Sequence, residues 1–327
     1  MHRPYTFIYI LSSWHLLQPV GVGNGTNTFA YSIDGIKWTG TGLDVFNDGG
    51  GGGYEVSYSD YYKLWVSVGT GPPNTIAYSS NGIKWTGLGK EVFLNNGLGI
   101  AYSNYQNTWV AGGYSGNSMA YSSNGLKWTG LGNNIFTNTY GFAQGISYSE
   151  FRKVWVAGGG GGGINSLAYS SDAIKWTGLG TKIFSTNGAS SCYSIYQDLW
   201  VATGSGYNGN SLAYSKDAIN WTGLGKNIFS NFGRGIAYSE SHKLWVAGGS
   251  GSKNTLAYSL DGFNWSGLGI LITTNVIYGL TYNANKDMWM AAGNTGNSLA
   301  YSKDGINWTG LGTNVFTNNG QFAICST

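Results

Sequence analysis

Short apolar runs alternate with polar turns along this chain, and the alternation repeats. One full cycle runs from Gly235 to Gly269. It contains the runs Gly235-Ile-Ala-Tyr-Ser239, Leu244-Trp-Val-Ala-Gly-Gly249, Thr255-Leu-Ala-Tyr-Ser259 and Phe263-Asn-Trp-Ser-Gly-Leu268. Polar or Gly-rich segments separate them: Glu240 to Lys243, Ser250 to Asn254, and the tight Leu260-Asp-Gly262 turn. An Asp-Gly pair between apolar runs favours a hairpin. The cycle therefore predicts four short antiparallel strands, A to D, and the chain shows no helical period between them.

The cycle recurs with a near-constant length. A Trp-Thr/Ser-Gly unit places its tryptophan at Trp38, Trp85, Trp128, Trp176, Trp221, Trp265 and Trp308, with spacings of 47, 43, 48, 45, 44 and 43 residues. A second tryptophan recurs in strand B at Trp65, Trp109, Trp155, Trp200, Trp245 and Trp289. All-β repeats of this period predict propeller blades. The expected fold is all-β: a seven-bladed β-propeller with four antiparallel strands per blade, occupying residues 1–327 as a single domain.

Each strand mixes large residues with small ones, so the aromatics of one blade can rest on the Gly and Ala of the next. That predicts a core role for the thirteen repeat tryptophans, each burial contributing on the order of 2–4 kcal/mol. A phenylalanine follows each strand-D tryptophan by eight residues, at Phe46, Phe93, Phe136, Phe184, Phe229 and Phe316. It is expected to pin the D-to-A crossover onto the blade. The sixth unit has Thr273 there, with Ile272 as the expected replacement.

Two segments compete for strand A of the first unit. Tyr9-Ile-Leu-Ser-Ser13 fits the register and puts Pro19 at the strand-B tryptophan position. Gln321-Phe-Ala-Ile-Cys-Ser326 fits as well. The expectation is that the C-terminal strand completes the first blade and displaces the N-terminal residues.

The Gly pair followed by Tyr-x6-Trp, as in Gly112-Gly113 and Tyr121 to Trp128, is similar to the kelch repeat. The turn Ser302-Lys-Asp-Gly-Ile-Asn-Trp308 also resembles the Asp-box of sialidase-type propellers, although that motif has one residue more between its Ser and Trp. Both resemblances imply a propeller. Neither implies a function, because a fold carries many functions.

Composition narrows the partners. Charged residues make up 9% of the chain, and the net charge of +3 is spread without runs. No concentrated basic patch exists for nucleic acid. No apolar stretch is long enough for a membrane span. The basic start and apolar middle of Met1 to Leu17 faintly resemble a signal peptide, but the repeat register already takes in part of that segment. Few charges and many aromatics fit a secreted or surface-exposed protein. Cys192 and Cys325 fall in equivalent strands of distant units, so two free, buried thiols are expected, since a disulfide needs its Cα atoms within about 7 Å.

The inventory of reactive groups argues against catalysis. A sialidase-like triad needs three convergent arginines, but Arg3 lies near the N-terminus, Arg152 in an A–B turn, and only Arg234 at an inner-strand entrance. Copper chemistry of the kind found on kelch scaffolds needs paired histidines, and His2, His15 and His242 are scattered. No metal or cofactor is expected. Asp34, Asp172, Asp217, Asp261 and Asp304 repeat in the C–D turn, where Asn81 and Asn124 replace them. Repetition and exchange with Asn point to local turn bonding rather than to paired catalytic carboxylates. Glu55 stands where most units have Gly, and reads as a channel residue before an acid catalyst.

Two sets of positions remain as candidate binding sites. Asn27, Asn74, Asn117, Asn165, Asn210, Asn254 and Asn297 each precede a Ser or Thr at the start of strand C. They either close the B–C loop by bonding its backbone or present a ring of amides to sugar hydroxyls. The second set lies two residues before the strand-A apolar position: Tyr54, Leu98, Gln144, Ala189, Arg234, Tyr278 and Gln321. It differs from unit to unit, through drift or because it holds one asymmetric ligand. Tyr54, Glu55, Gln144, Arg234 and Tyr278 are then the ligand-binding candidates, at a channel mouth. The expected function is a non-catalytic binding or scaffold propeller with a protein partner. The alternative is a multivalent lectin with a glycan partner, and the remote alternative is a sialidase-like glycoside hydrolase.

Overall fold

A computed structural model describes residues 18–43, 45–46, 51–136, 141–206 and 209–324. Among them no helix occurs, and every strand pairing is antiparallel. The strands follow one another as four-strand meanders. The second comprises β4 (Gly52–Ser59), β5 (Leu64–Thr70), β6 (Ile76–Ser79) and β7 (Thr86–Gly87). The third comprises β8 (Phe93–Ser103), β9 (Thr108–Gly116), β10 (Met119–Ser122) and β11 (Thr129–Gly130). The fourth has β12 (Phe142–Ser149), β13 (Val154–Gly160), β14 (Leu167–Ser170) and β15 (Thr177–Gly178). The fifth has β16 (Asn187–Ser194), β17 (Leu199–Ser205), β18 (Leu212–Ser215) and β19 (Trp221–Gly223). The sixth has β20 (Phe232–Ser239), β21 (Leu244–Ser250), β22 (Leu256–Ser259) and β23 (Ser266–Gly267). The seventh has β24 (Ile277–Asn283), β25 (Met288–Gly293), β26 (Leu299–Ser302) and β27 (Trp308–Gly310).

The first meander draws on both ends of the described chain. Its β1 (Val20–Asn24), β2 (Phe29–Ser32) and β3 (Trp38–Gly40) are joined by β28 (Asn319–Ile324). Val20 faces Tyr31 on β2 as Val66 faces Tyr78, so β1 is a strand B. On its other side Val20 faces Ile324, which gives β28 the strand-A position beside it. The competing Tyr9 to Ser13 segment lies outside the described residues, as does Cys325.

The strand-B tryptophans form the core, none more than 2% exposed. Each lies against the strand-A tyrosine of its own meander, as Tyr102 does with Trp109 at 4.7 Å between ring centroids. The strand-D tryptophans correct the expectation of a wholly buried set, because six of the seven are only half-buried. In Trp38, for example, Nε1 donates back to the Gly35 carbonyl of its own turn. Trp85 is the exception, buried and stacked on Phe29 at 4.0 Å. Cys192 is half-buried as a residue, although its thiol is enclosed.

Strand D is shorter than the sequence implies, because the turn before it consumes residues. In the first meander Ser32 Oγ accepts from the Gly35 N–H, and Asp34 Oδ1 accepts from those of Ile36 and Lys37. The same bonds recur at Asn81, Asn124, Asp172, Asp217, Asp261 and Asp304. The repeated acids therefore serve their own turns. The Lys37 and Ile36 amides hold the Asp34 carboxyl below its ordinary range.

The crossover phenylalanines are fully buried, each against a strand-B glycine of the following meander. A Cβ on Gly69, Gly113, Gly159, Gly204 or Gly249 would fall 2.3–2.8 Å from the ring of Phe46, Phe93, Phe136, Phe184 or Phe229. Phe316 sits in the same way on Gly23 of β1. In the sixth crossover Thr273, not Ile272, takes the ring's place: its methyl lies where a Gly293 Cβ would project. Ile272 instead matches the Val or Ile that precedes the other phenylalanines.

Candidate functional site

The seven Asn residues do not close their own loops. Each amide nitrogen donates to a carbonyl in the preceding crossover: Val315, Val45, Val92, Ile135, Ile183, Ile228 and Ile272 accept from Asn27, Asn74, Asn117, Asn165, Asn210, Asn254 and Asn297. Each amide oxygen accepts from a glycine N–H just after strand D of its own meander, as Asn165 Oδ1 does from Gly180 at 2.8 Å. The glycine of the Trp-Thr/Ser-Gly unit makes room for this. A Cβ on Gly178 would lie 2.2 Å from the Asn165 amide, and the other six glycines are equally close to theirs.

The variable positions behave differently. The first strand of each meander carries a register shift against its neighbour, between Gly53 and Glu55, Gly97 and Gly99, Ala143 and Gly145, Gly188 and Ser190, Gly233 and Ile236, and Ile277 and Gly279. The pairing of β1 with β28 shifts at Gln321 in the same manner. A bulge leaves one residue outside the ladder and re-aims its side chain. The residues so released are Tyr54, Leu98, Gln144, Ala189, Arg234, Tyr278 and Gln321. All seven line one cavity of about 60 Å³, together with Glu55, Gly145, Ser190 and Gly235. The first strands contact one another in succession around it, from β4 through β8, β12, β16, β20 and β24 to β28, and β28 contacts β4.

All five ligand-binding candidates from the sequence thus meet in one place. Arg234 Nη1 donates to Gln144 Oε1 at 2.8 Å, and Gln144 Nε2 donates to the Gly188 carbonyl at 2.9 Å. The Arg234 guanidinium lies 5.8 Å from the centre of the Tyr278 ring. Glu55 Oε2 accepts from the Ile100 N–H at 2.7 Å. Burial pushes the Glu55 carboxyl up to about 8, against the downward pull of that bond. Burial also lowers Arg234, although a guanidinium stays charged. A second cavity of about 260 Å³ adjoins the first and shares Arg234 and Tyr278, adding Asn187, Ser205, Phe232 and Gly233.

Two residues that sequence reasoning missed steady the bulges. Ser67 Oγ donates to the Glu55 carbonyl at 2.8 Å, and Thr203 Oγ1 to the Arg234 carbonyl at 2.8 Å. Both stand in strand B where other units carry small or apolar residues, and that departure was the available signal. Arg152 lies in the A–B turn as expected and pairs with Asp198 in the neighbouring turn. Among the described residues no cluster of His, Cys, Asp and Glu could hold a metal ion. No described helix is long and apolar enough to cross a membrane.

No family model and no curated protein matches the chain. Solved structures do. A nidogen/laminin complex aligns at 10% identity with a TM-score of 0.56, covering 95% of this chain and 98% of the other. A protein from Lactobacillus plantarum aligns at 11% identity with a TM-score of 0.60, covering 95% and 100%. A catalytically inactive virginiamycin B lyase from Staphylococcus aureus with quinupristin aligns at 9% identity with a TM-score of 0.62, covering 82% and 86%. At these identities the likeness concerns the fold alone, and that fold is of the β-propeller type.

Proposed function

We propose that the chain is one seven-bladed propeller, closed by β28, that acts as a non-catalytic protein-binding scaffold. The pairing of β1 with β28, the seating of Phe316 on Gly23 and the Asn27 bond to Val315 support closure between the first and last meanders. The Ser and Asp/Asn bonds of the C–D turn support the Asp-box-like reading, and the Gly, Tyr and Trp placement the kelch-like one.

The observation that carries the binding role is on the face formed by the A–B turns. Tyr61, Tyr105, Phe151 and Tyr196 occupy the same position in four successive turns and are 68%, 58%, 58% and 61% exposed. In each turn a strand-end serine accepts a backbone N–H, as Ser149 does from Arg152, and that geometry directs the preceding aromatic outward. Lys153 and Lys243 lie 4.2 Å from the ring centres of Tyr105 and Tyr196, linking turn to turn. Tyr, Phe and Arg are among the residues enriched at protein interfaces, and Tyr and Arg among those enriched at their hot spots. The lectin built on seven amides has less support, because each amide already holds backbone on both sides.

The test compares wild type with a Tyr61→Ser, Tyr105→Ser, Phe151→Ser, Tyr196→Ser variant. Immobilised protein should retain a defined partner that the variant loses, with an unchanged melting temperature. Reproducible binding to one sugar family on a glycan array, equal in both proteins, would instead favour the lectin. Turnover of a glycoside substrate would reject the non-catalytic reading.

A further inference from the structure

The geometry points to a small-carboxylate site anchored by Arg234, on the wall shared by the axial cavity and the cleft beside Phe232. This goes beyond protein binding and does not depend on it.

Charge balance comes first. Arg234 is a permanent cation, half-buried on the cavity wall, and no carboxylate lies within ion-pair distance of it among the described residues. A partly desolvated charge without a counterion attracts an anion. Glu55 is the one carboxyl that lines the cavity, and it is occupied by the Ile100 N–H. Burial disfavours its charged form, so it compensates little of the positive charge.

Orientation comes second. The chain from the Gly188 carbonyl through Gln144 to Nη1 fixes the plane of the guanidinium. Tyr278 flanks it. Among the described residues the guanidinium makes one hydrogen bond, which leaves most of its five donors for a ligand, and a planar fork matches a carboxylate with two parallel bonds. A fork held by neighbouring groups loses little freedom on binding.

Size and charge choose the ligand. The cleft of about 260 Å³ gives the acid's body a place against Phe232, with Asn187 and Ser205 as polar neighbours. One fixed cation among neutral amides, phenols and a largely neutral carboxyl matches a monoanion. A sulfate dianion would remain half uncompensated.

The probes are acetate and benzoate, with sulfate as the dianion control, titrated into the full chain at pH 6.5 by calorimetry. The expected result is saturable binding of benzoate or acetate at one site per chain. Arg234→Gln should weaken it at least about tenfold, the loss of one charge-assisted hydrogen bond. Because that variant could misfold, the wild-type Arg234 Nε–Hε resonance is followed as well, and it should shift in step with benzoate occupancy. No saturation by either acid up to about 50 mM, equal affinity in a folded Arg234→Gln protein, an unmoved Arg234 signal at saturation, or tighter binding of sulfate would each overturn the assignment.

Discussion

Arg234 and Gln144 stand 90 residues apart in the chain, yet the guanidinium of one donates to the side-chain oxygen of the other at 2.8 Å. They belong to β20 and β12, with β16 between them. Ala189, the released residue of β16, has too short a side chain to fill the space, and the arginine reaches across it. The site is thus composed of complementary sizes around a common centre, not of neighbours in sequence.

The Asn and Gly partners should be energetically coupled. Asn165→Ala strands the Ile135 carbonyl and the Gly180 N–H, and is expected to cost about 2–4 kcal/mol in chemical denaturation. Gly178→Ala drives a methyl into the same amide and should cost about 1–3 kcal/mol. The double variant should cost clearly less than the sum, because the methyl then meets no amide. Simple additivity would refute the pairing.

Two equally buried tryptophans should respond differently to the loss of an indole N–H. Trp245 Nε1 donates to Gln197 Oε1 at 2.7 Å, whereas Trp200 Nε1 has no partner among the described residues. Trp245→Phe is therefore expected to destabilise by about 1–2 kcal/mol more than Trp200→Phe. Thermal unfolding of the two variants side by side decides it.

Glu55 should leave a signature in the pH dependence of stability. Its folded value of about 8 lies above the ordinary 4.5, so the native protein keeps a proton that the unfolded chain releases. The stability this confers is complete below pH 4.5 and is lost as pH rises to 8. Allowing for the solvent the group still meets, Glu55→Gln should recover on the order of 1–3 kcal/mol relative to wild type at pH 8. Unfolding curves that run parallel for the two proteins from pH 4 to 9 would show that Glu55 ionises normally.

Cys192 should be inert in the folded protein. Burial pushes its thiol up to about 12, and the thiolate is the reacting form. Iodoacetamide at pH 8 is expected to modify it at least about 100-fold more slowly in the native protein than in denaturant. Peptide mass spectrometry reads this site separately from Cys325.

Strand content was legible because tryptophan, glycine and turn residues recur at fixed offsets, and the structure keeps those offsets. Strand D was overestimated because Asp261 bonds the amides of Phe263 and Asn264, which spends in the turn two residues that looked extended. The membership of the axial cavity was legible from variation alone, since Tyr54, Arg234 and Tyr278 interrupt an otherwise uniform pattern. Its cause was not. A bulge is a mismatch in count between two strands, and no single strand displays it. The partners of the Asn amides were hidden for a related reason, because a main-chain carbonyl in another unit has no letter in the sequence.

That last point bears on how such a chain can change. Each Asn grips its neighbour by main chain only, so any copy of the repeat recognises any other at their joint, whatever side chains either carries. A duplicated segment arrives already able to dock. Novelty is then free to gather where the joints are absent, at the released residues around the centre. There one exchange, such as an arginine in place of an alanine, alters the chemistry of the middle without disturbing a single seam.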